Sequence, residues 1–510
     1  MTTAIRAPGV FQAVKFVLLA GLTIAHCSTS AAAAELRAGA AKVDVTNKDA
    51  GPVSSPPYVK ALVITDGKTT AVIATVDAVA IGQIGSIKND YLGKVRAKLK
   101  QELGIDPANF MINASHCHAA VCSDIDEKTV ECVKAAFQKL EPVTVGVGRG
   151  SETRVSENRR LKLKNGREAD VRHAYSMPAD ADVAEVGPID PDIGIVRLDR
   201  KNGQPLAIIY QFACHPIQGV PSGANTADLT GFASQVIEDS FGEGTTALFL
   251  QGCGGDINPI QYKAVNYPRD AETLGNLLGL TTMRAARKIQ TGNKAEFRMT
   301  NETLTLPRAD LAERIALQEA QQLTLLKSLT GTTLNLKTFL PLVVKGNVSE
   351  MFPSYYSHQY LHEKKLGRAD WERLDTNNRA YADAYIKNIS IMEELTRVQT
   401  NIKLLQMHQA QNVAAGKRTI DVELVGLRIG DFVLVTSPGE LTVRIGLGIK
   451  KASPHPFTFV SGYTNGYIYY APTAEQLLNI GNAQEDSDCI LAPEWQAVFE
   501  KRVSDLLKKI

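Results

Sequence analysis

Apolar positions alternate in short runs through the first three-fifths of this chain and again near its end, and recur every three to four residues in between. Leu36–Val45 reads as an opening strand, and Val59–Thr65 with Thr69–Asp77 as a hairpin turned at Asp66-Gly67. Ile87–Leu103 has a helical pattern closed by Gly104, and it leads into the apolar run Phe110-Met111-Ile112. A helix over Thr129–Leu140 and a strand over Val143–Arg149 follow. Residues 150–190 are polar and irregular, a loop long enough to point to function. Strands are predicted at Ile193–Leu198, Leu206–Ala213 and Thr246–Leu250, with a helix over Asp228–Phe241.

From about 308 to about 415 the texture changes. Arg308–Leu329 is rich in Ala, Leu, Glu and Gln, and Ile386, Ile389, Leu395, Val398, Ile402 and Leu405 recur at helical spacing. This predicts a helical insertion around a less regular middle, either a wall beside a site or a packed hairpin remote from function. Strands resume at Ile420–Ile429, Phe432–Thr436 and Phe457–Ser461, and a last helix starts at Pro493. The alternation of strands and helices is that of an α/β protein.

The first residues change what counts as the folded chain. Arg6 and Lys15 precede an apolar run from Phe16 to Ala25 and a small-residue stretch ending Ala32-Ala33-Ala34. That pattern predicts a signal peptide over 1–34, and an exported domain over 35–510, periplasmic or secreted, without a transmembrane anchor. Removing Arg6 and Lys15 cancels the formal charge of +2. A neutral balance without long basic runs gives nucleic-acid binding no support. With 44% hydrophobic and 22% charged residues the composition is that of an ordinary globular protein. Six cysteines remain beyond the leader, and in an oxidising compartment Cys122 and Cys132 are plausible partners.

Polar, turn-rich motifs stand where predicted strands end. His116 and His118 follow Phe110-Met111-Ile112; on a strand, alternate residues share a face, so both would leave its carboxyl end side by side. One imidazole there suits a metal and the other the substrate. Cys214-His215-Pro216, Gly252–Pro259 and Ser437–Glu440 end three further strands, and the last strand runs into Gly462–Pro472, rich in Asn, Gly and Tyr.

These motifs carry a resemblance. Arg37–Thr46, Ser115–His118, Phe212–Pro216, Gln251–Pro259, Ser437–Glu440 and Asn465–Tyr470 stand in the order found in the neutral/alkaline, non-lysosomal ceramidases. The chain resembles the catalytic domain of that family and ends about where its immunoglobulin-like C-terminal domain begins. The resemblance implies mixed, layered β-sheets with flanking helices and a zinc ion held by His116, His215, Glu440 and Tyr470. It implies substrate or oxyanion contacts for His118 and Arg159. Asn258 takes the place of the family's catalytic serine; it can hold a substrate or water but is no nucleophile. Asp228 and Asp256 are candidates to orient liganding imidazoles, with a helix N-cap as the plainer role of Asp228.

The expected function is hydrolysis of a linear amide, an N-acyl and lipid-like substrate, by metal-activated water. Two other readings stand beside it: an exported metal- or ligand-binding protein without catalysis, and a hydrolase using Cys117 or Cys214 as nucleophile.

Overall fold

The computed structural model describes residues 35–171, 178–219, 225–262, 269–293, 295–348, 357–479 and 483–510. The predicted leader over 1–34 lies outside them, as does the 172–177 part of the polar loop. Eight strands form the larger sheet: β1 (Arg37–Asp44), β2 (Tyr58–Thr65), β3 (Thr70–Val76), β4 (Phe110–Ala114), β5 (Glu141–Ser151), β6 (Asp192–Arg200), β7 (Pro205–Phe212) and β8 (Thr246–Gln251). Their order is β8-β7-β6-β5-β1-β2-β3-β4, with parallel pairs at both edges (β7/β8 and β3/β4) and antiparallel pairs between. A second sheet runs β9 (Phe297–Pro307), β10 (Thr419–Ile429), β11 (Phe432–Thr436), β12 (Phe457–Ser461), its last pair parallel.

Period-two alternation decides which face meets what. Leu62, Ile64, Ile73, Val196, Leu198 and Ile209 on the first sheet form one apolar cluster with Leu427, Phe432, Leu434 and Phe459 on the second. The sheets approach so closely at Gly194 that a Cβ there would come within 2.7 Å of the Phe459 ring. Residues one step along face outward. Val63, Val72 and Ile112 pack under helices α1 (Tyr91–Leu103) and α2 (Ile125–Gln138), and Ile208, Tyr210 and Phe249 under α3 (Asp228–Phe241) and α4 (Ala271–Ala286). The result is a mixed α/β sandwich of two inner sheets with helices outside.

Two regions depart from the sequence reading. The polar loop 150–190 contains a small three-stranded sheet of Arg160–Leu163, Glu168–Asp170 and Val183–Val186, too short and polar to announce itself by alternation. Among the described residues, the region between β9 and β10 holds four helices: α5 (Ala312–Ser328), α6 (Leu336–Val348), α7 (Ser357–Lys365) and α8 (Asp370–Ala414). The first half of α8 lacks a clear apolar stripe, which is why its 45-residue length is not evident from the sequence. After β11 come α9 (Val443–Ala452) and, at the end, α10 (Trp495–Leu507). Cys122 and Cys132 are both free thiols, as are the other four cysteines among the described residues. Cys132 instead donates to the Ala41 carbonyl at 3.3 Å.

Candidate metal centre

The carboxyl ends of β4, β7, β8 and β12 are tied together by two buried amides. Asn113 donates to the Gly462 carbonyl at 2.8 Å and accepts from the Gln251 backbone N–H at 2.8 Å. Gln251 in turn donates to the carbonyls of Ser115 at 3.0 Å and Cys214 at 2.7 Å. Each amide satisfies groups on separate loops, so the loops hold a common geometry.

His116 does not sit on a strand. β4 ends at Ala114, and His116 takes a left-handed conformation with φ of 67°, its N–H donating to Ala78 at 3.0 Å. Strand alternation is therefore not what brings His116 and His118 together, yet the rings stand 5.5 Å apart, edge to face. His116 is buried and His118 exposed.

His116 Nδ1 contacts the Val79 carbonyl at 2.6 Å, and His215 Nδ1 the Ile257 carbonyl at 3.0 Å. A carbonyl only accepts, so each Nδ1 carries the proton and, in the neutral ring, each Nε2 is left with a bare lone pair. Both Nε2 atoms face Glu440 Oε2, at 3.5 Å from His116 and 3.3 Å from His215. The three atoms lie within 4.8 Å of one another, buried. Burial pushes the His116 imidazole down to about 4, against the pull of Glu440, so the ring is neutral at neutral pH. Burial raises the Glu440 carboxyl, but the Tyr467 hydroxyl and, whenever they carry a second proton, the His116 and His215 rings outweigh it and hold the group well below the usual carboxylate range. The Tyr463 hydroxyl donates to Oε2 at 3.2 Å and that of Tyr467 to Oε1.

Tyr470 is set beside Glu440 by a short parallel pair, Glu440–Leu441 with Tyr470–Ala471, in which the two residues are register partners. Its hydroxyl meets Arg159 Nη2 at 3.1 Å. Arg159 is buried, with Nε on Glu485 at 2.7 Å, Nη1 on Asn258 Oδ1 at 3.1 Å and Nη2 also on the Gly255 carbonyl at 2.6 Å. Gly255 is needed because a Cβ there would lie 2.6 Å from the Glu440 carbonyl.

A cavity of about 290 Å³ opens over these groups. His116, His118, His215, Glu440, Tyr470 and Arg159 line it; Asn258 does not, and its fully buried side chain bears on Arg159 from behind. Neither aspartate expected to orient an imidazole does so, since backbone carbonyls take that place. Asp256 accepts from the Val443 N–H at 2.7 Å, and Asp228 from Leu229 and Gly219 at 2.7 and 2.6 Å. Asp228 is the first residue of α3 rather than its cap. Cys117 and Cys214 lie outside the lining, and burial pushes both thiols far above their ordinary pKa. Neither is poised as a nucleophile.

Several lining or supporting groups escaped the sequence reading. Tyr463 and Tyr467 belong to a Tyr-rich loop whose composition was the signal; Glu485 and Asp488 had none. The insertion supplies a wall: Leu404 and Met407 of α8 line the cavity, His408 Nε2 meets Asp488 at 2.8 Å, and Gln411 donates to the Tyr469 hydroxyl at 2.8 Å.

No family model matches the chain, and no curated protein matches it by sequence. Solved structures do match. The neutral ceramidase of Pseudomonas aeruginosa aligns with a TM-score of 0.57 at 18% identity, covering 93% of this chain and 74% of that one. A ceramidase complexed with C2 aligns with the same score and identity, over 93% and 75%. At this identity the likeness shows the fold.

Proposed function

We propose that this protein hydrolyses a linear amide, the N-acyl bond of a ceramide-like lipid, with a single zinc ion held by His116, His215, Glu440 and Tyr470. The observation that carries the reading is the convergence of two imidazole Nε2 atoms and one carboxylate oxygen, all buried and within 4.8 Å of one another. In a buried, water-poor setting such a set is mutually repulsive until a cation joins it. Two nitrogens, a carboxylate and a phenol oxygen form the borderline-hard shell that suits zinc. When bound, zinc there supplies Lewis acidity and brings the pKa of water down to about 7.

The chain's own groups account for the rest. Tyr463 and Tyr467 fix the Glu440 carboxylate, so its direction does not depend on the substrate. Arg159, immobilised by Glu485 and Asn258, presents positive charge beside Tyr470, where negative charge developing on the carbonyl oxygen is stabilised. His118, on the open side, hands a proton to the departing amine as the C–N bond breaks and one water is consumed. The similarity to two ceramidase structures supports an amide substrate with a lipid-like acyl chain, and the leader pattern over 1–34 supports export.

Metal analysis of the protein, followed by a screen of N-acyl lipids against other amides and esters with and without chelator, tests the reading. The expected result is stoichiometric zinc and chelator-sensitive amide cleavage. A protein with no divalent metal, in which His116→Ala changes nothing, ends it.

A further inference from the structure

Most of the large apolar side chains that stand exposed belong to the helical insertion, not to the sandwich. On α6, Leu336, Leu340 and Val344 are 58%, 51% and 61% exposed. Four residues apart, they form one stripe along the helix. Phe339 turns to the other side, where it is buried and stacked on Tyr385 of α8 with ring centroids 4.4 Å apart. The helix is therefore anchored by one face and offers another. α7 and the turn after it add exposed Leu361 and Leu366.

Charge picks the occupant. Between Leu336 and Val348 there is no acidic residue, and the exposed Lys337 flanks the stripe. Lys364, Lys365 and Arg368 stand exposed beside Leu361 and Leu366, and the one acid of α7, Glu363, faces Arg368 at 3.9 Å. Along α6, α7 and the turn after it, Lys337, Lys345, Lys364, Lys365 and Arg368 stand against Glu363 alone, and the acids Asp370, Glu372 and Asp375 come only at the start of α8, where Arg373 pairs with Asp370, so α6 and α7 carry a positive excess. Leucines on one face with lysines at their flank are the composition of a helix that lies in a lipid–water interface. No helix among the described residues is long and apolar enough to cross a membrane.

We infer that α6 and α7 of the insertion, through the Leu336–Leu340–Val344 stripe with Lys337 and through Leu361 and Leu366 with Lys364 and Lys365, dock on an anionic lipid surface. The contact is interfacial and reversible, and it stands independently of the chemistry proposed for the cavity.

Cosedimentation of the full chain with vesicles tests it. Phosphatidylglycerol/phosphatidylethanolamine vesicles are expected to bring the protein down, and pure phosphatidylcholine vesicles to bring down far less. The variant L336S/L340S/V344S is expected to lower the bound fraction by about tenfold or more, and K364E/K365E by a similar factor that shrinks in high salt. All five positions are exposed, so unchanged circular dichroism and metal content certify the fold. Three results overturn the inference: no binding to either vesicle, equal binding by both variants, or a concentration-dependent dimer abolished by the serine variant, which would make a second copy of this chain the occupant.

Discussion

Around Glu440 the molecule buries its charges, whereas the outer half of the insertion exposes its leucines. At the centre, Glu440, His116, His215, Arg159 and Glu485 are each almost wholly shielded from solvent, and their heteroatoms converge through bonds of defined length. On α5 and α8, Leu317, Leu323, Leu374, Ile386 and Met392 are more than a third exposed. Buried charge is tolerated only when every partner is in place, so the centre should respond sharply to single substitutions. An exposed apolar face loses little when one residue changes.

That contrast can be broken or sharpened by substitution. His116→Ala is expected to abolish stoichiometric metal and lower amide turnover by about 10³-fold or more, read by metal analysis and initial rates. Arg159→Ala leaves Glu485 buried without its nearest cation, and urea unfolding should show a loss of about 3–5 kcal/mol. At the seam between the regions, His408→Ala removes the contact with Asp488 and should cost about 1–3 kcal/mol while metal content stays constant.

A pH series probes a buried charge outside the site. Burial works to raise the Glu238 carboxyl, but Lys60 and Lys42 outweigh it and the folded-state pKa lies below the ordinary 4.5. A depressed carboxylate stabilises the fold above its unfolded pKa, and that stabilisation is lost as pH falls through the folded one. The urea midpoint should therefore fall on acidification below about pH 4.5, and fall less in Glu238→Gln. The smallest effect belongs to Met392→Ser, 60% exposed, expected within about 0.5 kcal/mol of the parent.

Much of the sandwich was legible because its strands bury one or both faces and so read as clean apolar runs. The hairpin at Asp66-Gly67 is an example: Asp66 accepts from Lys68 and Thr69, and Gly67 takes a φ of 83°. His116, His215 and Glu440 were legible because each follows such a run. The reason they meet was not. It lies in the left-handed turn at His116 and in the amides of Asn113 and Gln251, which join residues more than a hundred positions apart. Glu485 and Asp488 were invisible for the same reason, since their partners, Arg159 and His408, are brought close only by tertiary folding.

The ladder between β9 and β10 has a bearing on how this architecture can be altered. It continues unbroken from Phe297 opposite Ile429 to Pro307 opposite Thr419, so the two ends of the insertion leave the sandwich one strand spacing apart. A two-residue turn bridges such a gap. The arm can thus be lengthened or excised without breaking the ladder, at the cost of its own contacts such as His408 with Asp488 and Gln411 with Tyr469, and loop-closure entropy grows only logarithmically with its length. One excision would carry away Leu404, Met407 and His408 together with the outer leucines, while leaving Glu440 and its histidines in place. Two side chains that line the cavity and the exposed stripe proposed to meet lipid therefore sit on one arm, apart from His116, His215 and Glu440.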